Sequence, residues 1–255
     1  MQDLVIKALE AFTLVGADGW QIKEPDLVQF VSPAISHGAM NTVVRARFLL
    51  EEIDARISQA FQPYEKNRVT CWWMFGPNSV HIKELEMRLA TKGFQLHHEA
   101  FGLMCAVNQG KKFSMPPRVS VEQVDLSSLD DYLRASRDGA EPTDGYRNYF
   151  RWIMEKHGRD LEIFLSRVDG EPAGTGLLQY LGAEGANMVS GYVRPKFRGL
   201  GAYQALIHAR LQRLQQRKIP NAVVLAMANT SAPILLRQGF QKVCELRTLE
   251  KVANK

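Results

Sequence analysis

Cysteine is scarce in this chain: Cys71, Cys105 and Cys244 are its only three among 255 residues. None stands in a C-x-x-C pair, so a disulfide framework is excluded, and buried free thiols in a reducing cytoplasm are expected. Long apolar runs are missing as well. The longest, Ala222–Ala228, is far shorter than the roughly 20 residues a membrane helix needs. The first residues, Met1–Phe12, carry the charges Asp3, Lys7 and Glu10 and have no unbroken apolar core, so no signal peptide is read there. Acidic residues are absent from one long stretch, 185–244, which holds nine cations: Arg194, Lys196, Arg198, Arg210, Arg213, Arg217, Lys218, Arg237 and Lys242. A stretch so one-sided suggests an anionic partner. Arg213, Arg217 and Lys218 are the exception, since cations at a helix C-terminus suit its dipole. Interleaved aromatics are lacking there, which argues against nucleic acid.

What is present is the composition of a globular protein, 45% hydrophobic and 23% charged. The net charge of +5 lies entirely in the second half, because basic and acidic residues balance over 1–117. A seam at Gly110–Pro117, with two lysines and a Pro-Pro pair, reads as a linker. It divides the chain into modules at 1–115 and 118–255. The second module reads as β-α-α-β-β-β-α-β-α-β, an α/β arrangement of mixed sheet flanked by helices. Its strands are expected at Val119–Val124, Glu162–Val168, Ala173–Tyr180, Ala186–Val193, Ala222–Met227 and Val243–Val252. Its helices are expected at Ser127–Arg137, Thr143–His157, after Gly201, and at Ser231–Arg237. The first module reads as helices at Leu4–Val15, Arg45–Phe61 and Val80–Thr91, with strands at Val69–Trp73 and Gly102–Val107. Leu89–Gln95 (LATKGFQ) repeats as Leu235–Gln241 (LLRQGFQ) in the same helix–strand context, which suggests two related α/β modules.

The chemistry sits at Arg198-Gly199-Leu200-Gly201-Ala202, between a strand and a helix. A helix start leaves N–H groups unpaired, its dipole favours anions, and glycines allow close approach, so such a loop suits a pyrophosphate. No GK[ST] follows, which excludes a Walker A loop, and Gln204 stands where a dinucleotide fingerprint needs a small residue. The run Val193-Arg194-Pro195-Lys196-Phe197-Arg198-Gly199-Leu200-Gly201 resembles motif A of the GNAT (GCN5-related N-acetyltransferase) superfamily. Asn229–Phe240 resembles its motif B, and the likeness spans roughly 118–252.

The resemblance implies a tandem of GNAT-like modules, the N-terminal one degenerate, and acetyl-CoA as co-substrate without a metal. It implies that the Val193 backbone takes the pantetheine arm as an added strand, that the amides of Arg198, Gly199, Leu200, Gly201, Ala202 and Tyr203 cradle the pyrophosphate, and that Asn229 bonds the pantetheine. Read from residues alone, Asn229 is a helix N-cap. The implied activity is acetyl transfer to a primary amine of a small molecule, amino acid or peptide; the alternative is an inactive CoA-binding or sensor protein. Leu235 or Leu236 stands where the family often has a Tyr acid, and Ala186–Val193 has no carboxylate base. Tyr192, Tyr146, Arg147 and Tyr149 are the nearest substitutes, and no catalytic residue is assigned. Trp72-Trp73 is expected in a core or interface. His97-His98 only faintly suggests a metal, since neighbours on a strand face opposite ways. The acceptor cleft is expected at the seam between modules, and a C-terminal edge strand could pair two chains.

Overall fold

The computed structural model describes residues 1–11, 17–109 and 114–253. In chain order its helices are α1 (Gln2–Ala11), α2 (Ile53–Asn67), α3 (Ile82–Thr91), α4 (Leu129–Ser136), α5 (Asp144–His157), α6 (Ala202–Gln216) and α7 (Ser231–Arg237). Its strands are β1 (Trp20–Lys23), β2 (Leu27–Val31), β3 (Thr42–Ala46), β4 (Cys71–Phe75), β5 (Gln95–Ala106), β6 (Val119–Gln123), β7 (Leu161–Val168), β8 (Glu171–Tyr180), β9 (Ala186–Val193), β10 (Asn221–Met227) and β11 (Gln241–Lys251). No helix among the described residues is long and apolar enough to cross a membrane.

By spatial contact the chain falls into two compact units. Unit 1 comprises Met1–Gly102, Ala226–Pro233 and Lys242–Lys255; unit 2 comprises Leu103–Leu225 and Ile234–Gln241. Residues 110–113 of the expected linker, and the end of the first expected helix, lie outside the described residues.

In unit 1 the strands run β1-β2-β3-β4-β11. β3 and β4 are parallel, and the β1–β2, β2–β3 and β4–β11 pairs are antiparallel. The core gathers Trp73, Phe48, Ile53, Ile57, Phe61, Tyr64, Leu85, Leu89 and Phe94. α2 supplies Ile53, Ile57, Ala60, Phe61 and Tyr64, a helical stripe. The Tyr64 hydroxyl, in full burial, donates to the Phe30 carbonyl at 3.0 Å. The sequence reading differs here in several places, among them β5, which was expected from Gly102 and starts at Gln95. The helix expected from Arg45 starts at Ile53, and Thr42–Ala46 is a strand. Thr42, Val43 and Val44 are β-branched and stiff at χ1, which suits a pleated, buried position. β1, β2 and β3 escaped the sequence reading.

In unit 2 the order is β10-β9-β8-β7-β6. β6 through β9 form an antiparallel meander, and β10 joins β9 in parallel. The ten elements expected for the second module all occur, with ends shifted by at most two residues. α5 opens on Thr143, whose hydroxyl accepts from the Tyr146 N–H. α6 buries Ala202, Ala205, Leu206, Ile207, Leu211 and Leu214 and packs along β6–β9. That packing sets the helix start beside the C-terminal end of β9.

Candidate functional site

β9 and β10 stay together only briefly. Their register consists of Ala222↔Ala186 and Val223↔Asn187. From Met188 to Val193, β9 pairs with β8 alone. The Arg194 N–H donates to the Ala173 carbonyl on the β8 side, at 2.9 Å. Strand peptides alternate in direction, so the N–H and C=O of Val193 face the other way, toward the open side. An extended polar ligand could pair there as an added strand.

The same strand is bulged. β8 and β9 pair at Thr175↔Tyr192 and next at Leu177↔Val189, so Ser190 and Gly191 together face Gly176. Ser190 has φ +51°, a region L side chains rarely adopt. Both bulge residues are exposed. The Ser190-Gly191 pair was the available sequence signal for this kink, and it was passed over as ordinary strand.

Pro195–Phe197 follow β9 as a single 3₁₀ turn, and then the glycine loop reaches α6. Gly199 has φ +79° and Gly201 φ +90°. A Cβ on Gly199 would meet nothing within 4 Å, so conformation rather than space requires glycine there. Gly201 is the N-cap, and no side chain caps the helix. The first N–H groups of α6 lack intrahelical partners by construction, which leaves an anion-accepting helix start. Val193, Arg198, Gly199, Leu200, Gly201, Ala202 and Tyr203 are thus consecutive parts of one strand–loop–helix corner in unit 2. Asn229 is exposed in the turn between β10 and α7 and clusters with unit 1, so the site described here is built from unit 2 alone.

The basic stretch is less available than its sequence suggests. Lys196 pairs with Glu171 at 2.6 Å. Arg194 donates to the Pro172 carbonyl at 2.8 Å and faces Asp138. Arg213 binds both oxygens of Glu162, at 2.8 and 2.9 Å, and Arg217 reaches the same carboxylate at 2.7 Å. Glu162 is 3% exposed, so these two cations serve a buried internal anion rather than a solvated helix end. Arg210 is fully buried. Arg198, beside the loop, is exposed and donates through Nε to the Val193 carbonyl at 3.2 Å.

α4 and α5 carry an aromatic cluster of Tyr132, Tyr146, Tyr149 and Phe150. Burial pushes the phenols of Tyr132 and Tyr149 well above their ordinary range, so neither yields a proton readily. Arg147 is held by Asp130, Asp144 and Glu141, which is a structural ion cluster. Tyr192 is half-buried on β9 beside the bulge. Leu235 is buried and Leu236 half exposed, and neither can donate a proton.

Unit 1 repeats the strand arrangement and fills it from within. β3 and β4 pair in parallel at Thr42↔Trp72 and Val43↔Trp73, again only two positions. Beyond them the chain's own segment satisfies β3: Asn78 Nδ2 donates to the Val44 carbonyl at 2.8 Å, and the Val80 N–H to the Ala46 carbonyl at 3.0 Å. Asn78 is buried and also donates to Glu10. The connection to α2 contains no glycine and places Glu51 and Glu52 at the helix start, the wrong charge for an anion.

Elsewhere in unit 1 the two adjacent histidines do not diverge as expected. Their rings lie 4.8 Å apart, and both lie against Trp72, at 4.8 and 5.2 Å. Trp72 Nε1 donates to Glu250 at 2.8 Å and its ring covers Gly38, so Trp72 has a packing role, while Trp73 is in the core. Among the described residues no group of three or more His, Cys, Asp or Glu is arranged to hold a metal.

Residues 126–240 match the family model described as acetyltransferase (GNAT) family. No curated protein matches the sequence. Among solved structures the chain is similar to a GCN5-related N-acetyltransferase from Kribbella flavida, with TM-score 0.72 and 13% identity, covering 98% of this chain and 95% of that one. It is similar to a functionally unknown conserved protein from Staphylococcus epidermidis, with TM-score 0.70 and 18% identity over 93% and 95%. A tandem GNAT protein from the clavulanic acid biosynthesis pathway gives TM-score 0.64 and 12% identity over 98% and 88%. At these identities the likeness is one of fold, and it extends over both modules.

Proposed function

The chain carries a domain of the GNAT acetyltransferase family at residues 126–240, and from that premise we propose that it binds acetyl-CoA and transfers the acetyl group to a primary amine. One observation carries the reading: the corner where the open side of β9 meets the uncapped, glycine-lined start of α6. A diphosphate suits the second feature and an extended amide arm the first. In this reading the backbone of Val193 pairs with the pantetheine, and the amides of Arg198 to Tyr203 receive the diphosphate, with Arg198 adding positive charge. Asn229 remains an added contact by resemblance. Its test is Asn229→Ala, which weakens binding by about 0.5–1.5 kcal/mol if the amide takes part.

Transfer requires a neutral amine, which attacks the thioester carbonyl. The oxyanion is then met by main-chain N–H groups of β9. The C–S bond breaks, the adduct nitrogen loses a proton to water to give the amide, and the departing thiolate takes a proton. Tyr192 is the phenol on β9 itself and the first donor to test. Water is the alternative, a thiolate being a fair leaving group. In this reading module 118–255 holds the cofactor, and module 1–115 is given no cofactor.

Calorimetric titration with acetyl-CoA, with 3′-dephospho-CoA for comparison, tests the proposal. Saturation is expected, and an acceptor screen over amines and peptides follows. No binding at millimolar ligand would overturn it. A second reading, acyl-CoA binding without turnover, is favoured by Leu235 and Leu236 standing where a proton donor is usual. Tight binding with no acetylated product across the screen would select it.

A further inference from the structure

Arg210 is a cation without an aqueous surface. It sits in the middle of α6 and is 1% exposed, among the largest fully buried side chains of the protein. Burial lowers its pKa to about 10, and the phenols of Tyr203 and Tyr132 partly offset that. A group this costly to bury needs partners. Its partners are carbonyl oxygens: Nε donates to Leu206 in its own helix at 3.0 Å, and Nη1 to Leu177 at 3.2 Å and Val189 at 3.4 Å. Leu177 and Val189 are the pair that closes the β-bulge on one side. Gly176, opposite the bulge, leaves little room for a side chain: a Cβ would stand 3.0–3.2 Å from the guanidinium, which would have to shift. On the other bulge residue, Gly191, the Tyr203 ring lies so close that a Cβ would meet it at 2.9 Å.

We propose that Arg210 is a positioning residue: its guanidinium pins the β8 and β9 carbonyls at the base of the bulge, and so fixes the direction of the Ser190–Val193 backbone that receives the acyl-CoA. A hydrophobic side chain of equal length would fill the volume but make none of these hydrogen bonds, and a β8–β9 register without the bulge would then compete. Guanidinium suits the task because its fork reaches several acceptors at fixed angles, which an ammonium does not. The inference rests on the acyl-CoA reading for its consequence, though not for its geometry.

The test uses the full chain as wild type, Arg210→Met, Arg210→Lys, Gly176→Ala and the Arg210→Met/Gly176→Ala double variant, each first shown folded by circular dichroism. Gly176→Ala displaces the guanidinium while keeping its charge. Without ligand, amide exchange at Val189–Val193 is expected to quicken about tenfold or more in Arg210→Met, the loss expected of charged hydrogen bonds, with the β7 amides unchanged. Acetyl-CoA affinity should fall in Arg210→Met and in Gly176→Ala, partly recover in Arg210→Lys, and fall no further in the double variant. Unchanged exchange at the bulge, or additive losses in the double variant, would overturn the proposal. If wild type bound no acetyl-CoA, the function reading would fall, and the exchange arm alone would decide the role of Arg210.

Discussion

Gly201 shows how little a single position can change without losing the site. Its φ of +90° places it where an L side chain is strained, and it caps α6 with no side-chain partner of its own. Gly201→Asp adds that strain and sets a carboxylate against the diphosphate, so acetyl-CoA binding should disappear in calorimetry while the fold survives. Unchanged affinity would remove the loop from the site. His98 offers a different reading of a residue. Burial, and then the neighbouring His97, lower its pKa to about 4, with Glu250 opposing. The folded protein therefore takes up this proton less readily than the unfolded chain, whose histidine titrates near 6.5. Stability from the neutral ring is complete above about 6.5 and is lost as pH falls toward 4. Tm measured across that window should drop, and His98→Gln should flatten the drop. An equal slope in the variant would place the effect elsewhere.

The parting of β9 from β10 and that of β3 from β4 pose the same local problem twice. Two parallel strands part after two residue pairs, and the freed backbone must find partners. In unit 1, Asn78 supplies one for the Val44 carbonyl. Asn78→Ala should cost about 1–3 kcal/mol in denaturant unfolding, the penalty of an unsatisfied buried acceptor. A cost within a few tenths would mean that water reaches the carbonyl. The buried carboxylate of Glu162 between Arg213 and Arg217 is comparable, and Glu162→Gln should lower stability by about 1–3 kcal/mol. Elements of unit 2 were legible because each is bounded or patterned: Asp169-Gly170 and Gly182–Gly185 turn the chain between β7, β8 and β9, α6 has a 3.6-residue stripe, and glycine or proline stands at the element ends. Strands β1 to β3 were not. They are four or five residues long, and β2 is buried throughout, so no alternation marks it. Arg210 was legible as a cation and was counted toward an anionic partner, because a helix stripe does not reveal that carbonyls of neighbouring strands will take its head group.

At the level of the whole chain, one glycine corner and one filled gap predict a single acetyl-CoA per chain; two equivalent sites in the titration would contradict the account of unit 1. The contact division bears on any fragment as well. Leu103–Ala106 of β5 cluster with unit 2, and Lys242–Lys251 of β11 with unit 1. A fragment starting at residue 118 discards the first and keeps the second without its partner β4. It should unfold at a lower temperature than the full chain, and an undiminished Tm would show that the linker bounds the folding unit. The GNAT corner, the element order of the second module and the missing tyrosine were written in local sequence, because backbone conformation, helix starts and the absence of a proton donor depend on a few neighbouring residues. The bulge with its buried arginine and the side-chain plug in unit 1 were not. Each joins residues tens of positions apart, whose meeting depends on which backbone groups packing has left without a partner.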